Sequence, residues 1–267
     1  MAISCIYDGS ESCVKIENEF SEFFKVNTGV LQGDTLAPFL FIVVLNYILS
    51  QNNHGLQTHT DYKLPDLDFA ADIAQLDSSI EEAIQHFTEI ELHANSVGLK
   101  VNYTKTKVLG LNNNITDMKL PNGQIIQAVT DFKYLGSKIM HSFNDFKQRR
   151  GIAFDKFWLM KNIWQTSTLT LKLRLQLFDS LILTILFYGA ESWTLTKQMT
   201  SMLNSFGTTY YRFILGIKRI DHVRNELVLE TVNRLPLINT LYCKQLRALG
   251  QWLRAKENPV SRLALYK

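Results

Sequence analysis

Hydrophobic and polar positions change period several times along the chain. Val14 and Ile16 alternate with Lys15 and Glu17, and Asp8-Gly9 supplies a turn, so residues 3 to 26 read as short strands of an opening β-ribbon. From Gly29 to Ser50, GVLQGDTLAPFLFIVVLNYILS, a Gly-rich turn runs into a dense apolar stretch whose length predicts a buried helix with Pro38 in its first turn. Leu64 to Asp77 holds two short apolar runs meeting near Ala71 and Asp72, the pattern of a tight hairpin with a carboxylate at its tip. Ser78 and Glu81 then read as a capping box. It opens a helix with the stripe Ile80, Ala83, Ile84, Phe87, Ile90, Ala94 and Val97, closed by Gly98. Lys100 to Leu111 and Phe132 to Ile139 read as strands, with Asn122-Gly123 as a turn between them.

From about Phe143 the period becomes helical, with Ile152, Ala153, Phe157, Met160, Ile163 and Trp164 on one face. Leu169 to Leu177 alternates strictly, which is strand period, yet Leu171, Leu175, Phe178, Ile182 and Ile185 fit a helix equally well and the length favours the helix. These elements predict an α+β protein, with an antiparallel sheet and packed helices over residues 1–140 and a mostly helical region over 141–267.

Composition narrows the class. Hydrophobic residues make up 46% and charged residues 20% of 267, an ordinary globular balance that excludes a disordered or fibrous chain. The apolar runs Leu36 to Leu45 and Leu181 to Phe187 are far shorter than the roughly 18 residues needed to cross a bilayer, so no membrane association is expected. The start MAISCIYDGSE lacks the basic and apolar blocks of a secretory leader, and Cys5, Cys13 and Cys243 are too few for a disulfide framework. The expected location is intracellular, in cytoplasm or nucleus.

The net charge of +3 hides an asymmetry: residues 1–133 carry 8 Lys/Arg against 17 Asp/Glu, and residues 134–267 carry 20 against 8. Such a split fits a nucleic-acid-contacting half beside an acidic one, or equally two differently solvated surfaces. Lys147, Arg149, Arg150, Lys156 and Lys161 fall within one stretch, and Arg149, Arg150 and Lys156 are the candidate phosphate contacts. Trp193, Tyr210, Tyr211 and Trp252 either stack on bases or pack a core, with the core favoured. The histidines and Cys243 show no ligand spacing, and His86 and His93, seven apart on one helix, read as surface residues.

Four segments in order, GVLQGDTLAPFLF (29–41), LDFAADIAQL (67–76), GLKVNYTKTKVL (98–109) and FKYLGSKI (132–139), resemble the reverse transcriptase of non-LTR retrotransposons of the endonuclease-fused type. The basic half, with LFYGAESWTL (186–195) and QLRALGQWLRA (245–255), resembles the region after the polymerase palm in such elements. The resemblance implies an RNA-directed DNA polymerase with a partial palm over 1–140 and a helical, basic, thumb-like region over 141–267. Its partner would be an RNA or DNA template-primer. Its chemistry would be nucleotidyl transfer with two Mg²⁺ ions held by carboxylates. By the same resemblance Gly29, Val30, Gln32, Gly33 and Phe69 shape the nucleotide and template site. Lys105, or Lys107 beside it, lies near the nucleotide phosphates, and Phe132, Tyr134, Leu135 and Gly136 position the primer end.

Two departures alter the implied activity. Where the family reads Phe-Ala-Asp-Asp this chain reads Phe69-Ala70-Ala71-Asp72, so the first ligand of the pair is a methyl group and Asp72 is the remnant catalytic and metal residue. Asp66 and Asp68 lie down the strand rather than at its tip. The family's other metal-binding Asp sits on a strand before the opening ribbon, and the sequence starts within that ribbon. The expectation is therefore a chain truncated at its N-terminus, lacking fingers and first palm strand, defective in catalysis and without bound Mg²⁺. It would retain nucleic-acid binding at most, or be an element relic without a role, and it would self-associate through an uncovered sheet edge.

Overall fold

The computed structural model describes residues 2–26, 29–30, 33–51, 54–57, 63–111, 115–139 and 141–255. They divide into two compact units, one from residues 1–106 with 118–126 and one from 107–117 with 127–267. Both helices and short, mainly antiparallel strand pairs are present, the α+β class the periodicities predict.

In the first unit, α1 (Ala2–Tyr7) replaces the start of the expected ribbon, and Gly9, at φ +74°, turns the chain into the strands. The ribbon itself is two nested antiparallel pairs: β1 (Glu11–Ser12) with β4 (Phe24–Lys25), and β2 (Lys15–Ile16) with β3 (Glu19–Phe20). Helix α2 (Ala37–Leu49) has Pro38 in its first turn, where the missing N–H costs nothing. The expected burial of α2 does not hold. Phe39 is 73% and Val43 64% exposed, with Ile42 and Tyr47 on the same side, and only Ala37, Leu45 and Ile48 are buried. A run apolar on every side carries no record of which stripe finds a partner. Here that stripe is Val44, Ile48 and Leu49, packed on Ile90 and Ala94.

After β5 (Leu56–Gln57) and β6 (Lys63–Leu64) comes the hairpin of β7 (Asp66–Phe69) and β8 (Asp72–Gln75). Helix α3 (Ile80–Ser96) starts one residue later than expected: Ser79 caps it by accepting from the Glu82 N–H, while Glu82 accepts from the Ser78 N–H. Its stripe buries Phe87, Ile90 and Ala94, and Gly98 follows its end at φ +81°.

The expected strand over 100–111 shrinks to β9 (Val108–Leu109), because residues 102–106 form a turn closed by hydrogen bonds to Asn102. Asn122-Gly123 turns a local hairpin, β10 (Met118–Lys119) with β11 (Ile125–Ile126), which buries Met118 and Ile126 in the first unit. In the second unit β9 pairs in parallel with β12 (Ala128–Val129). The expected strand over 132–139 is instead a tight hairpin, β13 (Lys133–Tyr134) with β14 (Ser137–Lys138).

The helices of the second unit are α4 (Ser142–Leu159), α5 (Lys161–Gln165), α6 (Leu171–Leu177), α7 (Thr184–Leu186), α8 (Lys197–Leu215), α9 (Asn225–Val232) and α10 (Leu237–Arg254). Residues 178–183 join α6 to α7 by a π-helical turn, so the alternating Leu169 to Leu177 stretch is helical, as its continuation to Ile185 indicates. Phe157 is the hub of the core. Its ring stacks on Trp164 at 4.9 Å, meets Tyr210 at 4.3 Å and Phe213 at 5.5 Å, and its carbonyl accepts from Trp164 Nε1 at 2.8 Å. Arg174 donates to the carbonyls of Trp164 (2.7 Å) and Ile214 (2.8 Å), which tie the ends of α5 and α8 together. Gly207 lets α10 approach α8, since a Cβ there would lie 2.8 Å from Leu237 Cγ. Among the described residues no helix is long and apolar enough to cross a membrane.

Candidate active site

The hairpin of β7 and β8 pairs Asp66 with Gln75, Leu67 with Ala74, Asp68 with Ile73 and Phe69 with Asp72, leaving Ala70 and Ala71 as a two-residue turn. Ala70 takes φ +52°, an unusual conformation for a residue with a Cβ, as two-residue hairpins demand of their first turn position. Directly paired residues share a face of a ribbon. Asp72 therefore stands with Phe69 and Leu67 on one face, while Asp66 and Asp68 stand on the other. Phe69 is 65% exposed, and Asp72 is exposed at the tip.

Asp66 and Asp68 are hydrogen-bonded to each other. Partial burial, followed by the Asp66 charge and the hydrogen bond that Asp68 donates to Asp66, pushes Asp68 up to about 6. Partial burial also raises Asp66, opposed by the hydrogen bond from Asp68 and by His86. The two carboxyls thus titrate as a pair on the face that Asp72 does not share.

His86 departs from the surface position expected for it. Its side chain is fully buried, Nδ1–H donates to Asp77 Oδ1 at 3.0 Å, and its ring stacks on His54 at 5.2 Å. The helical stripe carried no sign of this, because the partner Asp77 lies before the α3 cap. His93 is half-buried.

The other expected nucleotide-site residues lie apart from the hairpin in sequence. Gly29 and Gly33 both have positive φ, +88° and +95°, a backbone that only glycine adopts readily. Val30 is exposed, and Gln32 lies outside the described residues. Asp34, which the sequence did not single out, anchors this turn: its carboxylate accepts from the Tyr7 hydroxyl and from the Leu36 N–H at 3.0 Å. The Tyr7 hydrogen bond holds Asp34 below its ordinary value. Lys105 is exposed in the 102–106 turn of the first unit, whereas Lys107 belongs to the second, where its Nζ donates to Gln127 Oε1 at 2.7 Å.

The hairpin over Phe132, Tyr134, Leu135 and Gly136 is locked from below. Leu135 and Gly136 both have positive φ, +47° and +83°, the signature of a tight hairpin turn. The Tyr188 hydroxyl donates to the Leu135 carbonyl at 2.9 Å, and Arg149 donates to the Gly136 carbonyl while its guanidinium lies 4.4 Å from the Tyr188 ring centroid. Asp145, 2% exposed, accepts from the Lys138 N–H at 3.2 Å and from Trp193 Nε1 at 2.9 Å, and stands 3.9 Å from Arg149 Nε. The segment from Phe187 to Trp193 thus clamps the hairpin to α4.

This clamp separates the three candidate phosphate contacts. Arg149 is committed to the hairpin with its side chain 11% exposed, Lys156 is exposed, and Arg150 lines a cleft between α4 and α8 with Lys147. The other cleft residues, Ser201, Ser205 and Thr209, escaped the sequence reading, although their spacing of four along α8 was visible. Tyr210, Tyr211 and Trp193 are core residues, while Trp252 is 39% exposed.

A transposon-derived protein of Caenorhabditis elegans is 29% identical to this chain over 178 residues, a match covering 63% of the chain and 63% of that protein. Residues 3–139, more than half of the chain, match the family described as reverse transcriptase (RNA-dependent DNA polymerase). That span contains the glycine turn before α2, the hairpin with Asp72 at its tip and the locked hairpin at Leu135-Gly136, and the chain belongs to the reverse transcriptase family.

Proposed function

We propose that the chain derives from a non-LTR retrotransposon polymerase, does not itself carry out metal-dependent DNA synthesis, and keeps affinity for nucleic acid inside the cell. The hairpin tip carries the argument. Ala71 puts a methyl group where the family pattern has a carboxylate, and Asp66 and Asp68 stand on the opposite face from Asp72, hydrogen-bonded to each other. Two Mg²⁺ ions bound together would polarise the reacting hydroxyl and phosphate oxygens, and hard cations of this kind need several oxygen ligands each. One tip carboxylate does not fit that requirement, so Mg²⁺ is not assigned a role here.

The retained binding is supported by the excess of 20 basic over 8 acidic residues across 134–267. The non-LTR origin is supported by the order of the four blocks and by LFYGAESWTL and QLRALGQWLRA after them.

Titration with Mn²⁺, followed calorimetrically or by electron paramagnetic resonance, tests the loss of the metal centre. The wild-type chain gives no saturable site in the micromolar range, and Ala71→Asp tightens binding by restoring the adjacent pair. A stoichiometric pair of Mn²⁺ ions on the wild-type chain contradicts the proposal.

A further inference from the structure

Between α4 and α8 in the second unit lies a cavity of about 380 Å³. Its α4 wall carries Lys147 and Arg150, three residues apart on one face, and its α8 wall carries the hydroxyls of Ser201, Ser205 and Thr209, four apart. Tyr210 closes one side. Burial pushes its phenol up to about 12, against the nearby Arg150, so it stays a hydrogen-bond donor. The two cations are uncommitted: among the described residues neither has a carboxylate partner, and Lys147 only rests its ammonium 4.4 Å from the Phe143 ring centroid.

Gly151, also lining the cavity, adds an independent observation. It lies inside α4, where glycine costs about 1 kcal/mol relative to alanine, and a Cβ built there would meet nothing within 4 Å. Among the described residues no packing contact requires it, and its effect is to leave the cleft wall open for close approach from outside. Three residues along, Phe154 lines the same cleft, is 50% exposed and meets Trp158 edge-on at 6.1 Å.

We propose that this cleft binds single-stranded nucleic acid, with phosphate oxygens on Lys147 and Arg150, sugar or base edges on the α8 hydroxyls, and a base stacked on Phe154. Paired cations facing a row of neutral donors suit a sugar-phosphate chain, and an exposed aromatic beside them suits a base of any identity. A cavity of this size takes about one nucleotide and not a duplex. The inference rests on the reading that the chain binds nucleic acid and gives that binding a place.

The test is fluorescence anisotropy of the full chain with a labelled oligo-dT of about 12 nucleotides, titrated at several salt concentrations. Lys147→Ala and Arg150→Ala are expected to weaken binding by about tenfold each, the loss of one charge-assisted hydrogen bond, and to lower the log-salt slope by about 0.7 each. Ser205→Trp fills the cleft without changing charge and weakens binding to a similar degree. Gly151→Gln does the same from the other wall should the first variant unfold on heating before the wild type does. Arg219→Ala, an exposed cation outside the cleft, leaves affinity unchanged. If both filling variants bind like the wild type and the cleft cations behave like Arg219, the cleft is not the site although the chain binds. If duplex DNA competes as well as oligo-dT, the single-strand assignment fails. If the wild-type chain shows no binding at low salt, the nucleic-acid reading itself fails with it.

Discussion

Replacing Asp145 with alanine removes, in one step, the acceptor of the Trp193 indole N–H (2.9 Å), the acceptor of the Lys138 N–H (3.2 Å) and the carboxylate beside Arg149 (3.9 Å). Trp193 is 4% exposed, so its donor is left without water as well as without a partner. A hydrogen bond to a charged group contributes about 1.5 to 3 kcal/mol, and a buried charge whose partner is removed costs about 3 to 5 kcal/mol. The three effects share one side chain and do not add, so the expected loss is about 3 to 5 kcal/mol. Asp145→Asn keeps one acceptor and loses about 1 to 2 kcal/mol.

The tryptophans, Trp158, Trp164, Trp193 and Trp252, all belong to the second unit, so intrinsic fluorescence in urea reports on that unit. With a urea slope of about 2 kcal/mol per molar, Asp145→Ala moves the midpoint down by roughly 2 M. Trp193→Phe removes the same hydrogen bond from the other side, and the double variant should lose less than the two singles together. A midpoint for Asp145→Ala within about 0.5 M of wild type would refute the clamp as a source of stability.

The neighbouring arginines should part company. Arg149→Glu destabilises by about 2 to 4 kcal/mol through loss of the Gly136 and Tyr188 contacts and repulsion from Asp145, whereas Arg150→Glu stays within about 0.5 kcal/mol of wild type in the same urea assay. Asp68 has its folded pKa raised to about 6, above the unfolded value, so it favours the folded chain below about pH 4 and that contribution is lost as pH rises through 6. Asp68→Asn should therefore be more stable than wild type at pH 7.5, by no more than about 1 kcal/mol after solvent screening, with no gain at pH 4. The exposed stripe Phe39, Ile42, Val43 and Tyr47 predicts self-association. Light scattering should find oligomers that Val43→Glu reduces, and a monodisperse wild-type monomer counts against this.

Short-range signals proved the most legible. The β7–β8 hairpin and its tip at Asp72 followed from two apolar runs meeting at a turn, and α3 followed from its cap and stripe with an error of one residue at Ser79. The helix over Leu171 to Ile185 was readable once the window exceeded the ambiguous alternation. What failed depends on partners far along the chain. The helical start at Ala2–Tyr7 ends at Tyr7, whose hydroxyl bonds Asp34, and the exposure of α2 depends on which stripe meets α3. The burial of His86 depends on Asp77 and His54. Within the candidate site, the motif positions were visible but the faces were not. That Asp72 opposes Asp66 and Asp68 across the ribbon follows from register, and that Arg149 serves a hairpin while Arg150 faces a cleft follows from the clamp at Tyr188.

Primer extension is the most direct test of the loss of catalysis. Purified full-length chain is incubated with an annealed primer on RNA and on DNA templates, all four deoxynucleotides, and Mg²⁺ or Mn²⁺, and the products are separated on a denaturing gel. With Ala71 at the hairpin tip, the account predicts primer left at its starting length under every condition. Template-dependent extension by the wild-type chain, abolished by Asp72→Ala, would contradict it.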